Sequence, residues 1–265
     1  MRPHHAASAS AARLRTHTPS ALRPRPDRLD PRSSVPMRRF EIACLDPNGL
    51  IDNFTKVAPS LPLFEEAFSA VAHGGILHTD VGPTSVEDLL PGYKVQTVDD
   101  GFQEVLWIGS TMIVPQRLVM SGNQAEEMGK LTRISPDSFG LGRPMPDLMV
   151  GPAARMPMHN RAKGKVLAPI RAMENSETVI GITPVSPVKT YHIGFAEHHI
   201  IRINGLELES YHPGDDAAMS LTHEMEELFL EMFPHVEKMS DFGPQCLPRL
   251  SFEEMQAGVS AYSAA

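Results

Sequence analysis

Two dipeptides constrain this chain most, Asp100-Gly101 and Asn204-Gly205, each set between short strand-forming runs. Gly, Asn and Asp tolerate the positive φ angles that tight hairpins require. The flanks "YKVQTV", "FQEVLWIG", "TYHIGFAEHHIIRI" and "LELESYHP" are rich in Val, Ile, Tyr and Phe, which suit strands. Earlier, "RRFEIACLDPNGLI" reads as two strands around an Asp-Pro-Asn-Gly turn. "TMIVPQRLVM", broken by Pro115, and "KLTRIS" read as further short strands. "SLPLFEEAFSAVA" predicts one or two helical turns. One segment has sustained helical periodicity: in "DDAAMSLTHEMEELFLEMFPHV", Ala218, Leu221, Met225, Leu228, Phe229, Met232 and Phe233 recur at three- and four-residue steps. Asp215 and Asp216 suit its start and Pro234 its end. The expected class is therefore mostly β, short strands and hairpins with one C-terminal amphipathic helix.

The first segment has a different texture. Residues 1–36 hold seven Arg against two Asp, and their apolar content is mainly alanine, too little to offset the entropy of ordering. They are expected to form a disordered basic tail ahead of a domain spanning 37–265. The tail is Arg-rich and acid-poor like a transit peptide, and it equally suits a chain whose real start is Met37. It has no apolar run long enough for a signal peptide or a membrane span. The default expectation is a soluble, cytoplasmic protein.

The formal net charge is -8, so the acidic body is a poor match for nucleic acid. The two cysteines, Cys44 and Cys246, make neither a disulfide framework nor a metal cluster. "HEMEE" (His223–Glu227) lacks the second histidine of a zinc-protease motif. His192, His198, His199 and His212 gather around one hairpin, with His192 and His198 expected on the same face of a strand. They are read as core or hydrogen-bonded histidines rather than metal ligands. No cofactor is expected, and any partner is unspecified, a protein if there is one.

The stretch from His73 to Gly109 carries a stronger signal. Gly74, Ile76, Leu77 and Gly82, then "VEDLLPGYKV" and "DDGFQEVLWIG", resemble the opening block of the bacterial Hint (hedgehog/intein) domain family. "RISPDSFGLGRPMPDLMVGPAARM" resembles its second block and "YHIGFAEHHIIRINGLELESYHPG" its closing block. "DFGPQCLPRLSFEEM" resembles its tail, so the likeness runs in order over about residues 37–258. The resemblance implies a horseshoe-shaped, all-β fold. In active relatives a Cys or Ser opens the domain and attacks the preceding carbonyl, turning an amide into a thioester or ester. A Thr-x-x-His or Ser-Pro-x-His element of the second block holds the scissile amide and assists the leaving amine.

Each part has a physical reason. An amide is a poor electrophile, so an internal nucleophile divides a hard step into two easier ones, and a histidine near its pKa can protonate the departing nitrogen. Counted from the "VEDL" anchor, the family's nucleophile falls on Ala70. The second-block element becomes Gly151, Pro152, Ala153 and Ala154, with alanine in place of the histidine. His198 of the closing block survives. The expectation is a defective autoprocessing domain, a binding or accessory module with no assigned catalytic residue. The alternative is a live self-cleaving protein that uses Ser69 as nucleophile with help from His73. A secretion-linked role is a further option, since relatives are often joined to exported proteins.

Overall fold

In a computed structural model, the described residues are 36–114, 129–215 and 221–263, with side chains described up to 257. The expected tail, apart from Pro36, and the "PQRLVM" strand after Pro115 lie outside them. The described chain is mostly β, as its hairpin signals require.

An eight-stranded antiparallel sheet forms the larger layer. From one edge it runs β13 (Val179–Ile182), β9 (Leu131–Ile134), β10 (Leu148–Val150), β3 (Val71–Ala72), β14 (Val188–Gly194), β8 (Trp107–Ile113), β1 (Met37–Leu45) and β2 (Ile51–Pro59). A second sheet has the order β16 (Leu206–Glu209), β15 (Ile200–Ile203), β4 (Ile76–Thr79), β6 (Lys94–Gln96) and β7 (Phe102–Glu104), with β5 (Gly82–Ser85) paired to β4. A separate hairpin joins β11 (Arg155–Asn160) and β12 (Gly164–Pro169).

The hairpin signals fall where the turns are. Asn204 adopts φ 50° and Gly205 φ 82° between β15 and β16. Gly101 adopts φ 64° between β6 and β7. Two runs that read as single strands are each divided between the sheets. "FQEVLWIG" leaves β7 and enters β8 at Val105-Leu106, whose N–H groups bond across to Tyr93 O (2.9 Å) and Gly194 O (3.0 Å). "TYHIGFAEHHIIRI" changes sheet between Gly194 and Ile200. His192 is therefore in β14 while His198 is in the connection, and the expectation that they share one strand face is wrong. The connection Phe195–His199 contains no Pro, Asn or second Gly to mark a turn, so the run reads as continuous.

One core, built around Val71, Leu77, Val95, Ile134, Leu148, Val150 and Ile203, draws on strands of both sheets. A second is aromatic, with Phe40, Phe64, Phe68, Trp107, Tyr211, Phe229 and Phe233 at its centre. The Trp107 indole N–H donates to Met232 O (2.7 Å). Helix α1 (Pro62–Glu66) and helix α2 (His223–Leu230) flank this cluster. From the periodic segment Leu221, Met225, Leu228, Phe229, Met232 and Phe233 pack on this cluster as expected, while Asp216 and Ala218 lie outside the described residues; α2 itself starts at His223. Thr222 caps it, its hydroxyl accepting the Met225 N–H (3.4 Å). A further helix, α3 (Phe252–Ser263), follows near the end, so among the described residues of the C-terminal part there are two α-helices where one was expected. Among the described residues no helix is long and apolar enough to cross a membrane.

Candidate functional site

The structure packs Ala70 and Ala154 into one buried cluster, and the turn ending at Ala154 bonds to the Ser69–Ala70 peptide. After α1 the chain passes through Phe68, Ser69 and Ala70 into the two-residue strand β3, which lies between β14 and β10. Ala70 N–H donates to Tyr191 O on one side (3.1 Å), and Ala70 O accepts from Gly151 N–H on the other (2.8 Å). Ser69 O accepts from Ala153 N–H (3.1 Å). The Ser69–Ala70 peptide is thus gripped by the tight turn Gly151–Ala154, itself closed by Ala154 N–H to Gly151 O (3.2 Å).

All of this is dry: Ser69 is 0% exposed, Ala70 3%, Ala153 2% and Ala154 3%. The approach of the turn is unusually close. A Cβ added at Gly151 would stand 2.1 Å from Ser69 O, so only glycine fits there.

Ser69, the alternative nucleophile, has a buried hydroxyl without a hydrogen-bond partner. The carbonyl preceding it, Phe68 O, accepts from the Thr190 hydroxyl (3.0 Å). His73 sits beyond the far end of β3, exposed, with its N–H on Lys189 O (3.3 Å). It is not bonded to Ser69, so the serine–histidine pairing of the alternative reading does not form.

His198 is committed elsewhere. Its Nδ1 accepts from Cys246 N–H (3.1 Å), its Nε2 contacts Glu209 Oε1 at 3.1 Å, and its ring stacks on His212 at 4.9 Å. Glu209 is the hub of a buried ion cluster that sequence reasoning missed. Arg249 Nε donates to Glu209 Oε1 (2.8 Å) and its guanidinium also reaches His212 O (2.7 Å). Arg155 approaches Glu209 at 3.9 Å, pairs with Glu66 at 3.3 Å, and donates to Ala153 O (3.3 Å). Burial alone would raise the Glu209 carboxyl. Arg249, His198 and Arg155 outweigh that and hold it down to about 2. Alternation along β16 buries Leu206 and Leu208 and would expose Glu209, so no strand pattern could have found it.

His192 and His212 are buried as neutral rings. Burial lowers His192 to about 4, and its Nδ1 lies 3.1 Å from Glu66 O. His212 is likewise lowered by burial to about 4 and sits between Gly243 O and Gly214 N–H, each 3.0 Å away. His199 pairs with Asp99 at 3.2 Å. Among the described residues no three His, Cys, Asp or Glu side chains converge as a metal site. Burial pushes the Cys246 thiol up to about 11, which keeps it protonated at neutral pH and a poor nucleophile.

Glu66, Arg155, His192, Tyr211, His212 and Arg249 enclose a cavity of about 10 Å³, too small for an organic ligand. A larger cleft of about 320 Å³ lies among Arg38, Glu41, Thr111, Met112 and Lys189, and none of Ser69, Ala70, Ala154 or His198 lines it.

Comparison with known proteins bears on this geometry. The family model described as Hint domain matches residues 69–215, beginning at the Ser69–Ala70 peptide itself and ending short of the wider span expected from sequence. No curated protein matches the chain. Among solved structures, the solution structure of a bacterial intein-like domain from Clostridium thermocellum is similar at 14% identity. It is aligned over 54% of this chain and 99% of that one, with a TM-score of 0.32.

Proposed function

The chain belongs to the Hint-domain family, and from that membership we propose that it is a Hint protein that no longer cuts itself and serves as a binding or accessory module. The observation that carries this reading is the turn Gly151–Ala154 bonded to the Ser69–Ala70 peptide, with methyl groups at both reactive positions. The relatives' reaction needs a heteroatom on the residue after the attacked carbonyl and a proton donor for the departing nitrogen. Ala70 and Ala154 have neither. The Ala153 N–H at Ser69 O is the kind of donor that stabilises an oxyanion. With nothing to attack that carbonyl, the bond serves only to hold the backbone. Gly151 supports the same reading, because the serine that relatives carry there would collide with Ser69 O.

A second reading, self-cleavage by Ser69, draws support from its unpartnered hydroxyl and from the Thr190 hydroxyl on Phe68 O. Attack of Ser69 Oγ on the Phe68 carbonyl would move the acyl group from nitrogen to oxygen, and water would then break the ester. Among the described residues that reaction lacks a base, since none of them hydrogen-bonds to the Ser69 hydroxyl. Intact-mass measurement of the purified full chain, incubated with and without hydroxylamine or dithiothreitol, decides between the two. The expected result is an unchanged mass of 29.1 kDa. A break before Ser69 that disappears in Ser69→Ala would overturn the inactive reading.

A further inference from the structure

Edge strand β2 is the longest uncovered edge among the described residues. It has nine residues, whereas the strands at the other sheet edges have six or fewer. It pairs with β1 in unbroken register from Met37↔Pro59 to Leu45↔Ile51, with no bulge to turn it away. No proline interrupts it before Pro59. Natural edges are usually blunted by one of these devices.

The backbone polarity of the edge is fixed by the hairpin. Asp46 N–H bonds to Leu50 O, and Ser60 N–H bonds to Pro36 O. Alternation between these points turns the N–H and C=O groups of Asp52, Phe54, Lys56 and Ala58 toward β1. Those of Ile51, Asn53, Thr55 and Val57 therefore face outward. Ile51 is 43% exposed and Val57 57%.

We propose that β2 pairs antiparallel with β2 of a second copy of this chain about a twofold axis at Phe54, with Asp52 of each copy opposite Lys56 of the other. In this register Ile51 meets Val57, Asn53 meets Thr55 and Phe54 meets Phe54, so every residue faces its own chemical kind or opposite charge. All four outward residues of each strand join hydrogen-bonded pairs, giving about eight backbone hydrogen bonds across the axis. A shift of two residues either way uses fewer of them and separates the charges. Asp52 and Lys56 fall in non-hydrogen-bonded pairs, where side chains approach closest. Lys56 already contacts Glu231 at 2.9 Å. That pair is solvent-exposed and weak, and the ammonium has donors to spare.

The test is sedimentation velocity of the full chain across a range of concentrations at low salt. Wild type is expected to dimerise. Asp52→Lys and Lys56→Asp alone should each weaken the dimer roughly tenfold or more, since two cross-strand pairs turn repulsive together. Mixed one to one, the two variants place opposite charges together again and should form a heterodimer. Thr55→Pro removes an outward N–H without touching the bonds to β1, so it should give a folded monomer by circular dichroism. A wild type that stays monomeric throughout overturns the proposal, as does a dimer that survives Thr55→Pro. Variants that fail to recombine in the mixture would overturn this register.

Discussion

Replacing Gly151 with alanine tests how tightly the Gly151–Ala154 turn is bonded to the Ser69–Ala70 peptide. The new Cβ would stand 2.1 Å from Ser69 O, about 0.9 Å inside the 3.0 Å limit that real Cβ contacts respect. The obstacle is backbone, so no side chain can rotate away. The turn must retreat, stretching Gly151 N–H to Ala70 O (2.8 Å) and Ala153 N–H to Ser69 O (3.1 Å). Two buried hydrogen bonds lost or weakened cost about 1 kcal/mol each, and overpacking adds about 1–3 kcal/mol. Gly151 is not at positive φ, so no backbone strain enters. Glycine-to-alanine changes at compatible sites instead stabilise by about 0.4–1 kcal/mol through the unfolded chain. The net expectation is a loss of about 2–4 kcal/mol, read as a lower urea midpoint at unchanged slope. Gly151→Ser should lose at least as much. A Gly151→Ala protein as stable as wild type would refute this account of the turn.

Acid titration offers further tests. The buried His192 ring is held down to about 4 in the fold by loss of solvation, while unfolded histidine titrates near 6.5. The unfolded chain therefore takes up its proton first. Stability should be full above about pH 6.5 and fall toward pH 4, by about 3 kcal/mol from this ring alone, with His212 acting in the same direction. Glu209 is depressed to about 2, so its contribution is present above about pH 4.3 and drains away below that. Urea unfolding at stepped pH should show both windows. Glu209→Gln should abolish the lower window and, at pH 7, cost about 3–5 kcal/mol by stranding Arg249 and Arg155. Asn204 accepts Ile76 N–H (2.8 Å), donates to Asp147 O (3.1 Å) and holds φ 50°. Asn204→Ala should cost about 2–4 kcal/mol by denaturation, and Asn204→Gly less, since glycine keeps the turn.

The hairpins were legible because Asn204-Gly205, Gly101 and the Asp46–Gly49 turn act locally: a positive φ needs a particular residue wherever the chain later goes. The meeting of Ala70 with Ala154 was not legible from periodicity or composition, because alanine leaves no chemical mark. Only the ordered likeness of several blocks pointed to it. The Glu209 cluster was hidden for another reason. Arg155, Glu209 and Arg249 are far apart in sequence, and Glu209 sits on the strand parity that normally points to solvent. Its burial is set by the C-terminal segment, where Pro248 O and Leu250 N–H bond to Leu167 of β12. Helix α3 went unread because its first turn, "FEEM", carries too few apolar positions to set a period.

The crossings at Val105-Leu106 and between Gly194 and Ile200 reach beyond the site. Each sheet takes strands from both halves of the chain: β3 lies beside β14, and β15 beside β4. A ribosome that has released only the first half has made neither layer whole. Val71 waits for Tyr191, and Leu77 for Ile203. Such high contact order favours slow, late and concerted closure, so halves expressed separately should aggregate or stay unstructured, yet reassemble when co-expressed.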